Sequence, residues 1–358
     1  MKILAKHRRF PGRFLWLMAW LSLLAAVGCD RSNVRSDLDR RSRSDEDLVA
    51  LLPRGLEAVL DVDVAGLRKL DAAAELVGFL PERMLGRLAI ASEGPLRSLD
   101  ALAVGMLGMG SSDADVVWIA RGIPGPGPEG GVYRERVFAE VRKLGAATEA
   151  EYHGRPLIET QDGQTVAILN ERTVAYGNRQ TVRQIVDIFR GDEEGARKQA
   201  DLAAVLAKAP RAKTGRPAIM LGLLLPPPLR DRLRQLGLPE LGTDAEYLAA
   251  SLAVGDGIDL GVVAGFQKLS VAEEAGRQLQ ARAVALKQRP ALMFLGVERY
   301  VQPLVAVAVP ALAAKGRQTP ELHLAYRLPG DALTELLSRL VRLQQMQQKL
   351  QGKPAEKQ

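Results

Sequence analysis

Apolar and polar residues alternate early in the chain in a way that predicts short strands separated by helices. Between residues 57 and 64 one set of alternate side chains is entirely apolar, which is typical of a strand with one buried and one wetter face. A helix is predicted over 65–88 with a break near Pro81, and strands are predicted over 99–107 and 115–121. The apolar set is Ala58, Leu60, Val62 and Val64, against Glu57, Val59, Asp61 and Asp63.

The next segment carries turn signals that predict a three-stranded meander after a helix at 132–144. Residues 152–177 contain three apolar runs, and Asp162-Gly163 separates the first two. An Asp-Gly pair between apolar runs indicates a hairpin, because the tight turn requires positive φ. Asn178 is expected to cap a following helix over 178–189, since its side chain can accept a hydrogen bond from a free backbone N–H.

The second half repeats much of this order. Ser270 and Glu273 have the spacing of a capping box, which predicts a helix that begins at Ser270. Ala101–Gly105 and Ser251–Gly255 share the letters Leu-Ala-Val-Gly at matching places in the two halves. The predicted elements are a strand at 217–225, a helix to 236, a hairpin at 247–266 around Asp256-Gly257, a helix at 270–288, a strand at 322–328 and a helix at 331–350.

Hairpins interleaved with helices, and few strand-helix-strand crossovers, predict an α+β fold of antiparallel sheets with packed helices. The repeated order suggests a possible diverged duplication. The predicted organisation of the body is a first α+β unit at 49–191, a linker at 192–216, a second α+β unit at 217–352 and a disordered tail at 353–358.

The first thirty residues have the features of an export signal. Five basic residues (Lys2, Lys6, Arg8, Arg9 and Arg13) precede a run from Phe14 to Val27 that is apolar except for Ser22. This run is too short to cross a hydrocarbon layer of about 30 Å as a helix, and its length and flanks are those of a secretion signal. An ordinary cleaved signal with a chance cysteine, and an uncleaved anchor helix, remain as alternatives.

The end of that run resembles the lipobox of signal-peptidase-II lipoproteins. The residues are Ala25-Ala26-Val27-Gly28-Cys29, with Ala26 where the strongest form of the motif has leucine. The resemblance implies a signal peptide at 1–28, cleavage before Cys29 and a lipid on the thiol of Cys29. Asp30 resembles the enterobacterial signal that retains lipoproteins at the inner membrane. Cys29 is the single cysteine of the chain, which excludes an intramolecular disulfide.

The residues after the cysteine predict a tether and a body that faces the periplasm. Positions 29–48 mix serine with both charges, which cannot bury enough surface to order, and we expect a flexible tether that reaches about 60 Å. The body then begins with Leu52-Pro53 and the strand Ala58–Asp63, and it resembles uncharacterised Gram-negative envelope lipoproteins. The resemblance implies the membrane as a partner and brings no activity.

Composition argues against nucleic acid as a partner. The formal charge is +7, but five of the 49 basic residues lie in the predicted signal, which leaves 44 basic against 42 acidic groups. A nearly balanced chain has no basic footprint for phosphates. Trp118 is the only tryptophan outside the signal, so the body offers few aromatic faces for bases or sugars.

Candidate chemistry in the body is sparse, and we expect no cofactor and no catalytic residue. Gly125–Gly130 fits a G-x-G-x-x-G spacing, but two prolines remove the N–H groups that would bind a pyrophosphate. Asp61 and Asp63 are weak candidates for a hard-cation site, and both are expected on the solvent face. His153 and His323 lack a metal-ligand spacing and are expected at the surface or in a hairpin.

The long apolar stretch at 291–314 and the last predicted helix complete the candidates. Charges and prolines interrupt 291–314, so we expect a buried helix or helix pair there, with the lining of a hydrophobic-ligand pocket as the alternative. The glutamine-rich end of the last helix is expected to be solvated, or to meet a partner helix. The leading hypothesis is a lipid-anchored envelope protein with a non-enzymatic binding or assembly role, for which an envelope protein is the expected kind of partner. The alternatives are a carrier or sensor of a hydrophobic ligand and, third, a hydrolase.

Overall fold

The computed structural model describes a body built on one continuous antiparallel sheet. The described residues are 47–68, 99–109, 114–122, 131–143, 145–210, 217–235, 239–242, 244–254, 257–287, 305–312 and 318–329. Twelve strands form the sheet in the order β11-β12-β10-β9-β8-β1-β2-β3-β7-β6-β5-β4. The strands are β1 Ala58–Val62, β2 Leu99–Leu107, β3 Asp115–Gly122, β4 Ala147–Tyr152, β5 Arg155–Thr160, β6 Gln164–Ile168, β7 Thr173–Asn178, β8 Ile219–Leu224, β9 Ala245–Val254, β10 Gly257–Phe266, β11 Val305–Leu312 and β12 Gln318–Pro329.

Helices pack on both faces of this sheet. The described α-helices are α1 Leu48–Leu51, α2 Val64–Arg68, α3 Gly131–Lys143, α4 Arg179–Arg190, α5 Ala200–Ala207, α6 Pro227–Gln235, α7 Pro239–Gly242 and α8 Leu269–Lys287, and a 3₁₀ turn spans Ala196–Lys198. We call the side of the sheet that carries Val59 the front face and the side that carries Ala58 the back face. Two core layers result, one on each face, so the fold is α+β with packed helices.

The front-face core lies under α1, α4 and α5. Side chains of these helices pack on Val59, Val117 and Ala175 of the sheet, and all three strand residues are essentially inaccessible to solvent. The back-face core lies under α6 and α8, where Leu229 and Ala275 pack with Leu322. Burial of apolar side chains on both faces explains why the central strands have few exposed residues.

The two halves of the chain are joined at the centre of the sheet by β1 and β8. These strands pair antiparallel over five residues, from Ala58 opposite Leu223 to Val62 opposite Ile219. Each also pairs with a strand of its own half, β1 with β2 and β8 with β9. The predicted pair of α+β units therefore shares a single sheet.

Several predictions from the sequence are confirmed. The strands at β2 and β3, the helix α3, the hairpin at Gly163 and the hairpin of β9 and β10 all form where the pattern indicated. Gly163 has φ of 81°, as the Asp-Gly turn requires. Asn178 caps α4, since its side-chain oxygen accepts a hydrogen bond from the backbone N–H of Thr181 at 2.8 Å. In β12, Leu322 is buried and His323 is exposed, which agrees with the alternation.

The prediction of one wet face on β1 is wrong. Val59 is fully buried and Asp61 is only 9% exposed. β1 lies at the centre of a sheet that is covered on both faces, so the alternation in its sequence does not separate core from solvent.

The predicted linker and the predicted end of the tether both differ from the structure. Residues 192–216 were expected to link two units, yet α5 lies within them and its Leu202 and Leu206 belong to the front-face core. The tether was expected to run to residue 48, yet Asp47 caps α1 and forms an ion pair with Arg197, with Oδ1 and Nη2 3.1 Å apart. Apolar periodicity over eight residues is too short a signal for a helix such as α5.

Three further differences concern local structure. The strand β4 was not predicted, because its sequence Ala-Thr-Glu-Ala-Glu-Tyr is polar at an exposed sheet edge. α8 begins at Leu269, so Ser270 lies in its first turn and does not cap it. Residues 305–312 form the strand β11 where a helix was expected, and residues 291–304 lie outside the described residues.

Candidate functional site

A buried carboxylate with three polar partners lies on the front face of the second half. Glu321 in β12 is 5% exposed. The Tyr247 hydroxyl donates a hydrogen bond to its Oε1 at 2.7 Å, and Nε2 of His323 lies 3.0 Å from its Oε2. The ammonium group of Lys208 also contacts Oε1. We call these four residues the Glu321 cluster.

Four elements of the fold bring the Glu321 cluster together. Tyr247, Gly265 and Glu321 face one another across β9, β10 and β12. A Cβ atom on Gly265 would lie 2.0 Å from the Tyr247 ring, so only glycine lets that ring lie flat across the strand. Lys208 follows the last turn of α5, where a cation is favoured by the helix dipole.

The electrostatics of the Glu321 cluster favour an ionised carboxylate beside a neutral phenol. Burial alone raises the pKa of Glu321, but hydrogen bonds from Lys208 and Tyr247 and the lysine charge outweigh it, and the pKa is lowered overall. Burial, then the hydrogen bond to Glu321, raises the pKa of the Tyr247 hydroxyl. The Lys208 ammonium lies 5.5 Å from the centre of the Tyr247 ring, within the range of a cation–π contact.

A second carboxylate in the first half has a similar set of neighbours. Asp187 of α4 accepts a hydrogen bond from the Tyr152 hydroxyl at 3.1 Å, and Nε2 of His153 lies 3.6 Å from its other oxygen. The Arg183 guanidinium lies 5.2 Å from the centre of the Tyr152 ring. Burial and the hydrogen bond to Asp187 raise the pKa of Tyr152. These four residues form the Asp187 cluster.

The Asp187 cluster depends on the turn between β4 and β5. His153 has φ of 50° and Gly154 has φ of 75°, so both turn residues are left-handed. Two such residues make the tight hairpin turn whose twist matches that of the strands. The turn places Tyr152 and His153 beside α4. Their contacts with Asp187 attach the hairpin to this helix.

Each cluster places an imidazole beside a carboxylate, which is the arrangement of a general base and its orienting acid. The two histidine side chains are each 45% exposed. Among the described residues each imidazole has one charged partner, the carboxylate of its own cluster. Carboxylates with these donors also lock elements of a fold together, and both clusters can serve that purpose.

The weak metal candidates Asp61 and Asp63 do not share a site. Asp61 lies in β1 and is buried, whereas Asp63 follows the strand and its Oδ1 accepts a hydrogen bond from the N–H of Gly66 at 2.9 Å. Asp63 thus opens the helix α2. Within the described part of the chain, no group of three or more histidine, cysteine, aspartate or glutamate side chains is placed to hold a metal ion.

The other sequence candidates lie largely outside the described residues. These are Cys29 and Asp30, the loop Gly125–Gly130, the first part of the stretch 291–314, and the helix predicted at 331–350 with its glutamine-rich end. No helix in the described ranges is long and apolar enough to span a membrane.

The histidines were predicted at the surface, and their carboxylate partners were missed. Glu321 and His323 are two apart on a strand, so their side chains leave the same face, and this spacing was visible in the sequence. The pairing of His153 with Asp187 was not visible, because a sheet and a helix bring them together across 33 intervening residues.

Comparison with known proteins finds no similar protein. The sequence matches no protein-family model, and neither a curated protein nor a solved structure is significantly similar to it.

Proposed function

We propose that this protein is a lipid-anchored envelope protein, held by a lipid on Cys29 and facing the periplasm, with a non-enzymatic binding or assembly role. The observation that carries the binding or assembly role is the pairing of β1 with β8, which makes one sheet from both halves of the chain. Twelve strands at a spacing of about 4.8 Å, with the helices packed on them, give a body roughly 50 Å wide along the sheet. A broad surface of this kind suits contact with a macromolecule.

The same pairing argues against a carrier that closes over its ligand. Carriers that close like a clamshell have their site in a cleft between two bodies joined by a hinge. Here backbone hydrogen bonds run from β2 through β1 and β8 to β9 without a break. Opening a cleft between the halves would break the β1–β8 ladder at the centre of the core.

The lipid anchor is supported by the residues that precede the body. The described part of the body begins at Asp47, whose carboxylate accepts a hydrogen bond from the backbone N–H of Val49 and forms an ion pair with Arg197. Seventeen residues, 30–46, separate this point from Cys29. Fully extended they reach about 55 Å, enough for the body to work away from the membrane surface.

The anchor is tested by replacing its attachment atom. Cells that express the Cys29→Ser chain are fed an alkyne fatty acid, and the protein is isolated and examined for label and N-terminal processing. We expect label and cleavage before residue 29 in the parent chain, and an unlabelled precursor in the variant. Asp30→Ser is the control, because it leaves the thiol in place and should keep the label. Cleavage of the Cys29→Ser chain near residue 30 would contradict the lipid anchor.

The binding role is tested with a photo-crosslinking residue at exposed positions. Ala150 on the edge strand β4 and Val284 on α8 are both exposed, and they sample two regions of the surface. We expect an adduct of defined mass from at least one position, dependent on Cys29. If neither position gives an anchor-dependent adduct, and His323→Ala abolishes a measurable ester or amide hydrolysis, the non-enzymatic role is wrong.

One observation favours hydrolysis as a second candidate function. Glu321 and His323 form a carboxylate–imidazole pair at 3.0 Å, and the imidazole is half exposed. Such a pair can activate a water molecule. Turnover of a chromogenic ester that His323→Ala reduces at least a hundredfold, with unchanged thermal unfolding, would establish this candidate in place of the first.

We also propose that the two halves arose by diverged duplication. The first half has the pairing order β1-β2-β3-β7-β6, and the second has the order β8-β9-β10-β12-β11. A helix follows the third strand in each, α3 in one and α8 in the other. Both lie on the back face, since Arg134 and Arg142 of α3 form ion pairs with Glu149 on that side of β4, and Ala275 of α8 packs with Leu322. The shared Leu-Ala-Val-Gly motif supports the same correspondence between the halves. Leu102 pairs with Val62, Val62 pairs with Ile219 of the other half, and Ile219 pairs with Leu252, so the leucines of the two motifs hold equivalent places in the sheet.

This duplication has its own test. When the two halves of this chain are aligned with each other, the score should be highest in the register that equates Leu102 with Leu252. Scores no higher than those of shifted or shuffled registers would contradict a common origin.

A further inference from the structure

The two outer strands of the sheet, β4 and β11, differ in charge. In the described part of the sheet each pairs with one neighbour, β4 with β5 and β11 with β12. β4 carries Glu149 and Glu151 on one side, and two copies that met at this edge would oppose these charges. The sequence of β11, Val-Ala-Val-Ala-Val-Pro-Ala-Leu, has no charge, and its three valines favour a strand. Of the two outer strands, β11 is the one suited to pair with its own copy.

Two prolines show which backbone groups of β11 point away from β12. Pro310 lies directly opposite Pro320. An opposed pair that exchanges hydrogen bonds needs an N–H group from each residue, and proline has none, so this is a non-hydrogen-bonded pair. Because the two kinds of pair alternate along the strand, the N–H and C=O groups of Ala306 and Ala308 point outward, at the edge of the sheet.

Exposed apolar side chains surround this edge. In the described ranges, four large apolar side chains are 36–53% exposed: Val116, Leu269, Val284 and Val307. Val307 lies on the front side of β11, whereas Leu269 and Val284 belong to α8, which covers the back of β11 and β12. Three of the four thus lie around one strand, and a cluster of this kind marks a contact surface.

Leu269 and Val284 lie on the outer side of α8. They belong to a row of exposed residues at helical spacing: Leu269, Glu273, Arg277, Gln280 and Val284. Val271 projects from the opposite side of the helix and packs in the back-face core with Leu241 of α7. Since α7 packs against α6 over the inner strands, the exposed row faces the β11 edge.

We infer that two copies of this chain pair through β11, antiparallel, about a two-fold axis at Val307. The inference names the partner for the assembly role proposed above, and it rests on that role. In this arrangement Ala306 of one copy exchanges hydrogen bonds with Ala308 of the other, so the sheet continues from one copy into the next. The axis is perpendicular to the sheet, and the front faces of both copies lie on the same side.

The same axis brings the outer sides of the two α8 helices into register. Gly276 marks the level of the axis, because a Cβ atom on it would lie 3.1 Å from Leu322, and Leu322 is opposite Ala308 in β11. Leu269 is seven residues before Gly276, and Val284 is eight residues after it. In antiparallel helices that meet at this level, Leu269 of one copy therefore lies opposite Val284 of the other.

Charge and area fit a second copy as the occupant. Glu273 of one α8 lies within a turn of Arg277 of the other, so opposite charges meet across the axis. The ladder and one side of α8 bury roughly 1,000 Å² in total, which is the lower limit for a specific interface. A lipid anchor would keep the copies at high local concentration on one membrane, and this favours association through a small surface.

Disulfide formation between copies tests the inference. The full chain with Cys29→Ser, purified in mild detergent, has no other thiol, so the result does not depend on the lipid. Val307→Cys places a thiol at the axis, where opposed residues of a non-hydrogen-bonded pair have Cα atoms about 4.5 Å apart, within the range of a disulfide. Val116→Cys on β3 is the matched control, because Val116 is 42% exposed and Val307 is 49% exposed. We expect an intermolecular disulfide to form at least tenfold faster at Val307→Cys.

A mixing experiment tests the register of the two helices. Chains with Leu269→Cys are mixed with an equal amount of differently tagged chains with Val284→Cys, both in the Cys29→Ser background. We expect the mixed disulfide dimer to exceed the two like dimers together at least fivefold. Random pairing would give equal amounts of mixed and like dimers, and that result would contradict the two-fold axis.

A charge at the edge tests the pairing without any disulfide. Val307→Lys opposes two ammonium groups at the axis, so the dissociation constant of the dimer, measured by sedimentation, should rise at least tenfold. Val116→Lys should leave this constant unchanged. Thermal unfolding like that of the parent in both variants reports that the body remains folded.

The outcomes distinguish this inference from the proposed function. Equal disulfide rates at Val307→Cys and Val116→Cys, together with a sedimentation mass of one chain at every concentration, would overturn the second copy as partner. An anchor-dependent photo-adduct of Val284 with a different protein would then support the binding role alone. An adduct of twice the chain mass at Val284 supports both.

Discussion

The Glu321 cluster and the Asp187 cluster combine the same chemical groups in two different settings. In each, a tyrosine donates to a carboxylate, a histidine lies beside it, and a cation lies over the tyrosine ring. Glu321 and Tyr247 are buried on a sheet: the Glu321 side chain is 6% exposed, and Tyr247 as a whole residue is 8% exposed. The Asp187 side chain is 17% exposed and attaches a hairpin to a helix.

The difference in burial decides what each cluster does for the protein. A buried carboxylate that loses its partners keeps its desolvation cost, whereas a partly exposed one recovers hydrogen bonds from water. The Glu321 cluster should therefore stabilise the whole second half through α5, β9 and β12. The Asp187 cluster should affect only the position of the β4–β5 hairpin. Five predictions test this contrast.

The largest effect is expected from Glu321→Gln. Removing one charge of a buried pair leaves the other poorly compensated, which typically costs about 3–5 kcal/mol. Lys208 is 28% exposed, so water can solvate it in part and we expect about 3 kcal/mol, measured by urea unfolding at pH 7. Glu159→Gln, a change of the same kind at a carboxylate with two exposed arginine partners, is the control and should cost less.

The pH dependence of this effect follows from the lowered pKa of Glu321. A carboxyl with a lower pKa in the folded state stabilises the fold above its unfolded pKa of about 4.3, and this contribution is lost as the pH falls through the folded value. The gap in stability between parent and Glu321→Gln should therefore narrow below pH 4. A gap that is constant from pH 7 to pH 3 would contradict an ionised, stabilising Glu321.

Gly265→Ala should produce the second largest effect. The new Cβ would lie 2.0 Å from the Tyr247 ring, so the ring must move and its hydrogen bond to Glu321 must weaken. Overpacking of this kind together with a strained hydrogen bond should cost about 2 kcal/mol in urea unfolding. Gly177→Ala is the control, since its nearest neighbour would be a Val117 methyl at 3.2 Å. Equal costs for the two variants would mean that Tyr247 does not depend on Gly265.

The two tyrosines should differ at high pH. The pKa of Tyr247 is raised, so the folded protein holds this proton while the unfolded chain releases it near pH 10. Stability should then fall by up to about 1.4 kcal/mol per pH unit above pH 10, and Tyr247→Phe should remove that part of the slope. Absorbance at 295 nm should show Tyr152 ionising before Tyr247. Simultaneous ionisation of both in the folded protein would contradict the difference in burial.

The smallest effect is expected from Asp187→Asn. Asparagine keeps an acceptor for the Tyr152 hydroxyl, and the lost attraction to His153 acts across 3.6 Å at a site open to water. Exposed pairs of this kind contribute up to about 1 kcal/mol, so we expect less than that. The change should instead speed amide hydrogen exchange in β4 and leave β9 unaltered. A loss of stability equal to that of Glu321→Gln would remove the contrast between the clusters.

Local sequence patterns predicted the elements whose structure depends least on residues that are distant in the sequence. Period-two alternation gave β12 with the correct buried and exposed sides, because its front face is open and its back face lies under α8. Asp-Gly and Asn signals predicted the turn at Gly163 and the start of α4, since both depend on backbone geometry within a few residues. The α+β class followed from the order of these elements.

The clusters and the central strands could not be predicted in the same way. Whether Asp61 is buried depends on helices that cover both faces of β1, and these are distant in sequence. Val305–Leu312 is apolar throughout, which suits a buried helix and a strand equally, and pairing with β12 decides between them.

The sequence by itself determined the single cysteine behind an apolar run, the hairpins and most strands, because these depend on residue type and short-range backbone preference. Only the tertiary structure decided that both halves share one sheet and that His153 meets Asp187. Those features depend on which strand edges pair and which helix covers which face. Backbone ladders are the same for every sequence, so the choice of partner is made by the packing of side chains that lie far apart along the chain.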